Sequence, residues 1–306
     1  MFKKALLLLP IQTKITLTLI GAIIISTSIV SYVGYHKAQS IMMSRLESSD
    51  LPNLLKGARN AVEGEVARMK SLTRSIATNP FIHDWLATSS DPNNNALLAK
   101  YLTEIQTQNG LSNASFVNRK TAQYWNQKGF LRVLQNNNAD GWFFAFKNSG
   151  KAESASIYTY PDGKVDMFVN YQMLNGTGAS GVSKSFTDMA NYLKEFQIEE
   201  TGFVYLVDGN GQIQVHNEKS KINIQNIADD YPSMDTEDLL QKNDFAFFNT
   251  GDVLVASSYI PSLGWYLMAE VPSSELYAGL EESRNYMIIW FGLVVVVLGF
   301  IATYFS

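Results

Sequence analysis

Gly202-Phe203-Val204-Tyr205-Leu206-Val207, Asp208-Gly209-Asn210-Gly211 and Gln212-Ile213-Gln214-Val215 follow one another without a gap, and this stretch decides the fold. Two apolar runs around a cluster of turn formers predict a tight hairpin. Downstream, Ala246 to Asn249, Asp252 to Ile260 and Gly264 to Val271 are equally short and turn-bounded, so the hairpin opens a small antiparallel sheet. Upstream lies a larger strand set: Ala114 to Val117, Ala122 to Trp125, Trp142 to Phe146, Ala155 to Tyr160 and Val165 to Gln172. Turns at Asn148-Ser149-Gly150 and Pro161-Asp162-Gly163 separate its members. Between the two sets, Ser185 to Phe196 returns to helical spacing, with Phe186, Met189, Leu193 and Phe196 on one side.

Ahead of the strands the chain is helical. From Ala38 to Asn79, apolar or small residues recur at Leu51, Leu55, Ala58, Val62, Val66, Met69, Leu72 and Ile76, one stripe at spacings of three and four. Pro52 after Asp50 has the pattern of an N-cap and first-turn pair, which predicts a restart or kink there. Two partners are open to so long a stripe, the chain's own domain or a second copy of the helix. Asn79-Pro80 ends it; a helical stretch follows from Phe81 to Leu86, then a loop from Ser89 to Asn95 and a helix from Ala96 to Gln108.

Two uncharged apolar segments, Ile15 to Val33 and Tyr286 to Phe305, bracket all of this. Each is close to the roughly 20 residues a helix needs to cross a bilayer. Lys3, Lys4 and Lys14 precede the first segment and place that end in the cytoplasm, so the residues between the spans are expected outside. The first segment exceeds the apolar region of a signal peptide and lacks a small-x-small cleavage pattern after Tyr35, which favours an uncleaved anchor. With 46% hydrophobic residues, 17% charged and a formal net charge of −4, the chain is neither a disordered tail nor a basic nucleic-acid binder. It has no cysteine, which excludes disulfides and thiolate zinc sites. His36, His83 and His216 lack metal-ligand spacing, no nucleophile elbow or phosphate-cradling loop occurs, and Asp208 to Gly211 lacks the distal glutamate of a calcium loop. No metal, cofactor or enzymatic activity is expected within the chain.

The element order resembles that of double Cache (dCache) sensor domains. Gly202 to Gly211 is similar to the opening hairpin of that family's membrane-proximal module, and Gly264-Trp265-Tyr266-Leu267 with Glu270-Val271-Pro272 to the segment that closes it. Asp140-Gly141-Trp142-Phe143 with Tyr158 resembles the pocket pattern Arg-x-Trp-Tyr/Phe…Tyr of amino-acid-sensing members. The resemblance implies an α+β fold: a long N-terminal helix and two PAS-like antiparallel-sheet modules, flanked by two transmembrane helices. The expected divisions are a cytoplasmic tail (1–14), a first span (15–35), a long periplasmic helix (36–80), a distal module with linking helix (81–200), a proximal module (201–273), and an exit helix with second span (274–306). It also implies a function: periplasmic small-molecule sensing for a receptor of the bacterial inner membrane, of the chemoreceptor, diguanylate cyclase or histidine kinase kind. Homodimerisation through the long helix and the spans is expected. Since no output domain follows the second span, the chain is expected to be the input part of a longer receptor. The alternative is a membrane-anchored module that binds a periplasmic protein partner.

The expected ligand set is Trp125, Asp140, Trp142, Phe144, Tyr158, Asn170, Ser183 and Lys184. Aromatic rings give a floor, and a cationic ammonium over such a face gains about 0.5 to 2 kcal/mol. In a strand Trp142 and Phe144 share one face and Phe143 takes the other, so one set belongs to the pocket and the other to the core. Two positions depart from the family pattern: its carboxylate-binding arginine falls on Asp140, and its amine-binding aspartate on Ser183. Asp140 is either an ammonium anchor or a solvated loop carboxylate, and Lys184 either a supplied cation or a surface lysine, with Arg119 a second source of a cation. The substitution at Asp140 favours an amine or amino acid as ligand.

Overall fold

A 27-residue helix carries the architecture. In the computed structural model, which describes residues 10–88, 91–160, 164–196, 198 and 200–304, α1 (Ile11–Arg45) passes through a π-helical turn (Leu46–Asp50) into α2 (Leu51–Ala77). The restart expected at Pro52 takes the form of that turn. Pro52 has no N–H to donate, and the Leu51 N–H reaches back to the Leu46 carbonyl, the wide ring of a π turn. Every expected stripe residue of α2 is buried except Leu72, which is half-buried beside the buried Thr73. The stripe is used inside the chain, because one apolar core runs along α2 and takes in side chains of both sheets.

Asn79-Pro80 breaks the rod, and α3 (Pro80–Thr88) and α4 (Ala96–Gln108) follow as expected. Lys3, Lys4, Ser89 and the turn Pro161-Asp162-Gly163 lie outside the described residues. The larger sheet contains β1 (Asn113–Asn118), β2 (Gln123–Asn126), β3 (Gly129–Val133), β4 (Glu153–Thr159), β5 (Val165–Gln172) and β6 (Gly178–Ser185), in the spatial order β3-β2-β1-β6-β5-β4 with every pairing antiparallel. The expected strand Trp142 to Phe146 is instead a helix, α5 (Gly141–Asn148). Its eight residues bury only Phe143, so the aromatic run serves one helical face rather than the two faces of a strand.

Three contacts fasten β6 to α2. The Ser180 hydroxyl donates to the Thr73 carbonyl, Lys184 pairs with Glu65 at 2.9 Å, and a Cβ on Gly178 would lie 2.0 Å from the Ala77 carbonyl oxygen. His83 closes the upper end of this seam, one ring nitrogen 2.9 Å from the Ala77 carbonyl and the other 3.2 Å from the Thr177 hydroxyl.

α6 (Phe186–Leu193) and a short 3₁₀ turn lead to the second sheet, formed by β7 (Phe203–Val207), β8 (Ile213–Val215), β9 (Ala246–Asn249), β10 (Val253–Ile260) and β11 (Trp265–Pro272) in the order β8-β7-β11-β10-β9. Two one-turn helices, α7 (Ile227–Asp230) and α8 (Thr236–Leu239), close over it, capped by Asn226 and Asp235. α9 (Ser273–Tyr304) leaves at once, and its Glu275 carboxylate accepts from the Glu200 and Thr201 N–H groups, so the exit helix is tied to the linker between the sheets. α1 and α9 are long and apolar enough to cross a membrane, and they lie side by side with the Arg284 guanidinium 5.8 Å above the Tyr35 ring.

Candidate functional site

Strand alternation gives the larger sheet two unlike faces. Toward α2 point Met167 and Val169 in the core, and Tyr171, whose ring lies 5.3 Å below the Arg74 guanidinium. The same face carries Phe116 and Trp125, whose indole N–H donates 3.0 Å to the Pro92 carbonyl. The opposite, open face has another chemistry. Cross-strand partners there are Asn113, Ser183 and Phe168 in one row and Ser115, Gly181 and Asn170 in the next. Beyond the first row stand Asp166 and its partner Tyr158.

α5 covers one end of this face. Phe143 packs on Val117 and Ala179, and the Gln172 amide donates to the carbonyls of Phe146 and Lys151 at 2.7 and 2.8 Å. Trp142, 44% exposed, meets Tyr124 edge-on with centroids 6.3 Å apart. Burial pushes the Tyr124 phenol up in pKa, partly offset by hydrogen bonds with Ser115 and Asn113 and by the charge of Arg132. Asp140 precedes α5 and is 3% exposed, neither a solvated loop residue nor an unpaired charge. Its carboxylate accepts from Arg132 Nη2 at 2.6 Å and the Gln135 N–H at 3.1 Å, and the Arg132 hydrogen bond holds its pKa below the ordinary 3.8.

A second carboxylate occupies the far end. Asp166 is 1% exposed; its Oδ2 accepts from the Ser183 hydroxyl at 3.1 Å and the Tyr160 hydroxyl at 3.4 Å. Oδ1 receives no hydrogen bond from the described residues, and Lys164 Nζ stands 3.4 Å from it. Around this carboxylate, Tyr158 meets Tyr160 at 4.9 Å and Phe168 at 6.4 Å between centroids, both edge-on. Burial and then the Asp166 charge push the Tyr160 phenol up to about 12, so it remains a donor at neutral pH.

The residues expected from the sequence therefore separate. Tyr158, Asn170 and Ser183 share the open face; Asp140, Trp142 and Phe144 belong to α5 and the loop before it; Trp125, on the covered face, packs edge-on against Trp85 of α3, and Lys184 pairs with Glu65 of α2. Arg119 is engaged too, donating to the carbonyls of Met173, Leu174 and Gly176 in the β5–β6 turn. Arg132 pairs with Tyr124, in the row that reaches β5 at Gln172, six residues from Asp166. At about 3.3 Å per residue the two carboxylates are roughly 20 Å apart along the strand. Asp166, Tyr160 and Arg132 were missed by sequence reasoning, although the alternation that puts Asn170 on the open face puts Asp166 there as well.

Residues 26–280 match the dCache_1 family, described as a Cache domain. The chain belongs to the Cache domain family. Its fold is shared with solved ligand-binding domains at low sequence identity. The Cache fold of the extracellular domain of vpHK1S-Z8, described as a histidine kinase, matches at 13% identity and a TM-score of 0.62, over 76% of this chain and 96% of that one. The ligand-binding domain of Mlp24 with asparagine matches at 18% identity and 0.54, over 81% and 98%. That of the Pseudomonas aeruginosa PAO1 amino acid chemoreceptor PctC, in complex with GABA, matches at 12% and 0.55, over 72% and 98%. Cache domains of this double form are extracellular sensors of membrane receptors, and extracellular small-molecule sensing is the function that membership supports.

Proposed function

We propose that this chain is the periplasmic input of a receptor in a bacterial inner membrane, and that it takes a small amine or amino acid on the open face of its larger sheet. One observation carries the reading: this face buries Asp166, Ser183 and Ser115 in a layer of Tyr, Phe and Asn, whereas on the face against α2 the polar side chains Ser180 and Lys184 are taken up by the helix around an apolar core. Buried polar groups cost stability unless they are satisfied, and convergent polar groups over an aromatic floor are how small polar ligands are held. Solved relatives with asparagine and GABA support the ligand class. α1 and α9 anchor the sensor from both sides, with the N-terminus inside, and two copies pair through these helices. A ligand that prefers one conformation shifts α9 through the linker held by Glu275, by no more than its differential affinity for the two states. The test has two arms. Alkaline phosphatase fused after Lys120 is active if residues 38–282 are external; an expressed but inactive fusion overturns the orientation. The full chain in lipid nanodiscs, titrated calorimetrically with amines, amino acids and dicarboxylates, responds to an amine-bearing compound. A response to dicarboxylates alone overturns the ligand class.

A further inference from the structure

The Asp166 corner is built for an alkylammonium group, and the chain's own Lys164 already stands in it. Four observations converge. The carboxylate is fully buried in a fold that supplies it two hydroxyl donors, both to Oδ2. Among the described residues Oδ1 receives no hydrogen bond, and the Lys164 ammonium stands 3.4 Å from it. That ammonium also lies 5.5 Å over the face of the Tyr160 ring, the placement a cation prefers on an aromatic face. The Lys164 side chain is itself half exposed, so its ammonium has a path back to water when a second cation takes its place beside the buried Asp166.

We infer that Asp166, Tyr160, Tyr158 and Phe168 form the ammonium subsite of the ligand site, and that Lys164 is a tethered competitor which the ligand's ammonium displaces. This rests on the open-face reading above and deepens it. A ligand ammonium takes over the contact to Oδ1 and the face of Tyr160, with Ser183 holding the carboxylate in place from Oδ2. Lys164 then sets the threshold of response, because every binding event is an exchange of one ammonium for another. A dicarboxylate has no ammonium to offer Oδ1 and cannot make this exchange. Asp140 has no part in this exchange, since its charge is committed to Arg132.

The experiment measures dissociation constants of putrescine, γ-aminobutyrate and L-asparagine, with succinate as control, on the full chain in nanodiscs by calorimetry. Wild type, Asp166→Asn and Lys164→Met are compared, and each is checked for its melting temperature. Losing a buried charged contact weakens amine binding at least about 30-fold in Asp166→Asn. Removing a half-exposed competitor tightens the same amine by about two- to fivefold in Lys164→Met, whose melting temperature shows that the fold is kept. Amine binding to Asp166→Asn at wild-type strength overturns the subsite, and so does unchanged or weaker binding to Lys164→Met; the sensing reading survives either result. If succinate binds and no amine binds any of the three proteins, the amine reading itself falls. If nothing in the panel binds any of them, the open face is not a site for these ligands and both proposals fall.

Discussion

Replacing Asp140 by Ala distinguishes a structural carboxylate from a ligand anchor. The substitution removes the acceptor of the Gln135 N–H and both contacts to Arg132. The Gln135 N–H is partly buried, and loss of its acceptor costs about 1 kcal/mol. The Arg132 side chain is 52% exposed and returns to water, so the ion pair adds only about 0.2–1 kcal/mol after screening. The sum, about 1–2 kcal/mol, lowers the melting temperature by roughly 2–8 °C for a domain of this size. Asp140→Asn keeps an acceptor for Gln135 and loses about half as much. The folded-state pKa of Asp140 is depressed, so its contribution is present above the ordinary 3.8 and is lost as pH falls through the folded value. Melting curves by circular dichroism taken from pH 7 downward therefore separate wild type from Asp140→Ala at neutral pH and narrow the gap only as pH falls below the ordinary 3.8 and through the folded value. A variant that melts within about 1 °C of wild type at pH 7 yet no longer binds amines refutes the reasoning, and returns Asp140 to the ligand.

Gly178→Ala drives a methyl into the Ala77 carbonyl and is expected to destabilise by about 1–3 kcal/mol or more, whereas Gly141→Ala, with open space around it, stays within about 0.5 kcal/mol; urea titration of both decides. His216 is buried against Phe203 and Tyr205, its Nδ1 accepting from the Glu218 N–H at 2.9 Å; burial, then Lys221, depress its pKa against the opposing pull of Glu218 and Asp230. The unfolded chain then binds the extra proton first, so stability falls as pH drops below about 6.5, by at most about 1.4 kcal/mol per unit. His216→Gln is expected to flatten melting temperature against pH between about 5 and 7, and an unchanged slope counts against the assignment.

How much of this was written in the chain depends on how far each signal reaches. The stripe of α2, the breaks at Pro80 and the hairpin at Asp208 to Gly211 were legible because each rests on near neighbours. At that hairpin the Asp208 carboxylate accepts from the Asn210 and Gln212 N–H groups at 2.8 and 3.0 Å, and Gly211 supplies the positive φ of 81°. Trp142 to Phe146 misled because a short aromatic run has no period long enough to separate strand from helix. β3 has three exposed residues of five at the edge of its sheet, and α7 and α8 are single turns, so none announces itself by burial pattern. The site was harder still. Trp125 belongs to the expected ligand set as one ring of an aromatic floor and Lys184 as the neighbour of Ser183, but which face a strand turns to the helices depends on contacts such as Ser180 with Thr73, 107 residues apart. Arg132 meets Asp140 through a loop that no periodicity describes.

The seam between β6 and α2 sets where this sensor is stiff. With Gly178 against the Ala77 carbonyl, Ser180 bonded at Thr73 and Lys184 at Glu65, strand and helix are joined at three heights over most of the strand. Close-packed surfaces of this kind do not glide on one another. Strand and helix therefore work as a single girder with no play between its flanges. A load applied on the open face, where Ser183 alternates with Lys184 along the same strand, has no cushion to spend itself in before it reaches Glu65 and the long helix. At the girder's two ends stand the π turn at Leu46–Asp50 and the Glu275 carboxylate that accepts from the Glu200 and Thr201 N–H groups, so a displacement of the girder as one piece is delivered to α1 and to α9.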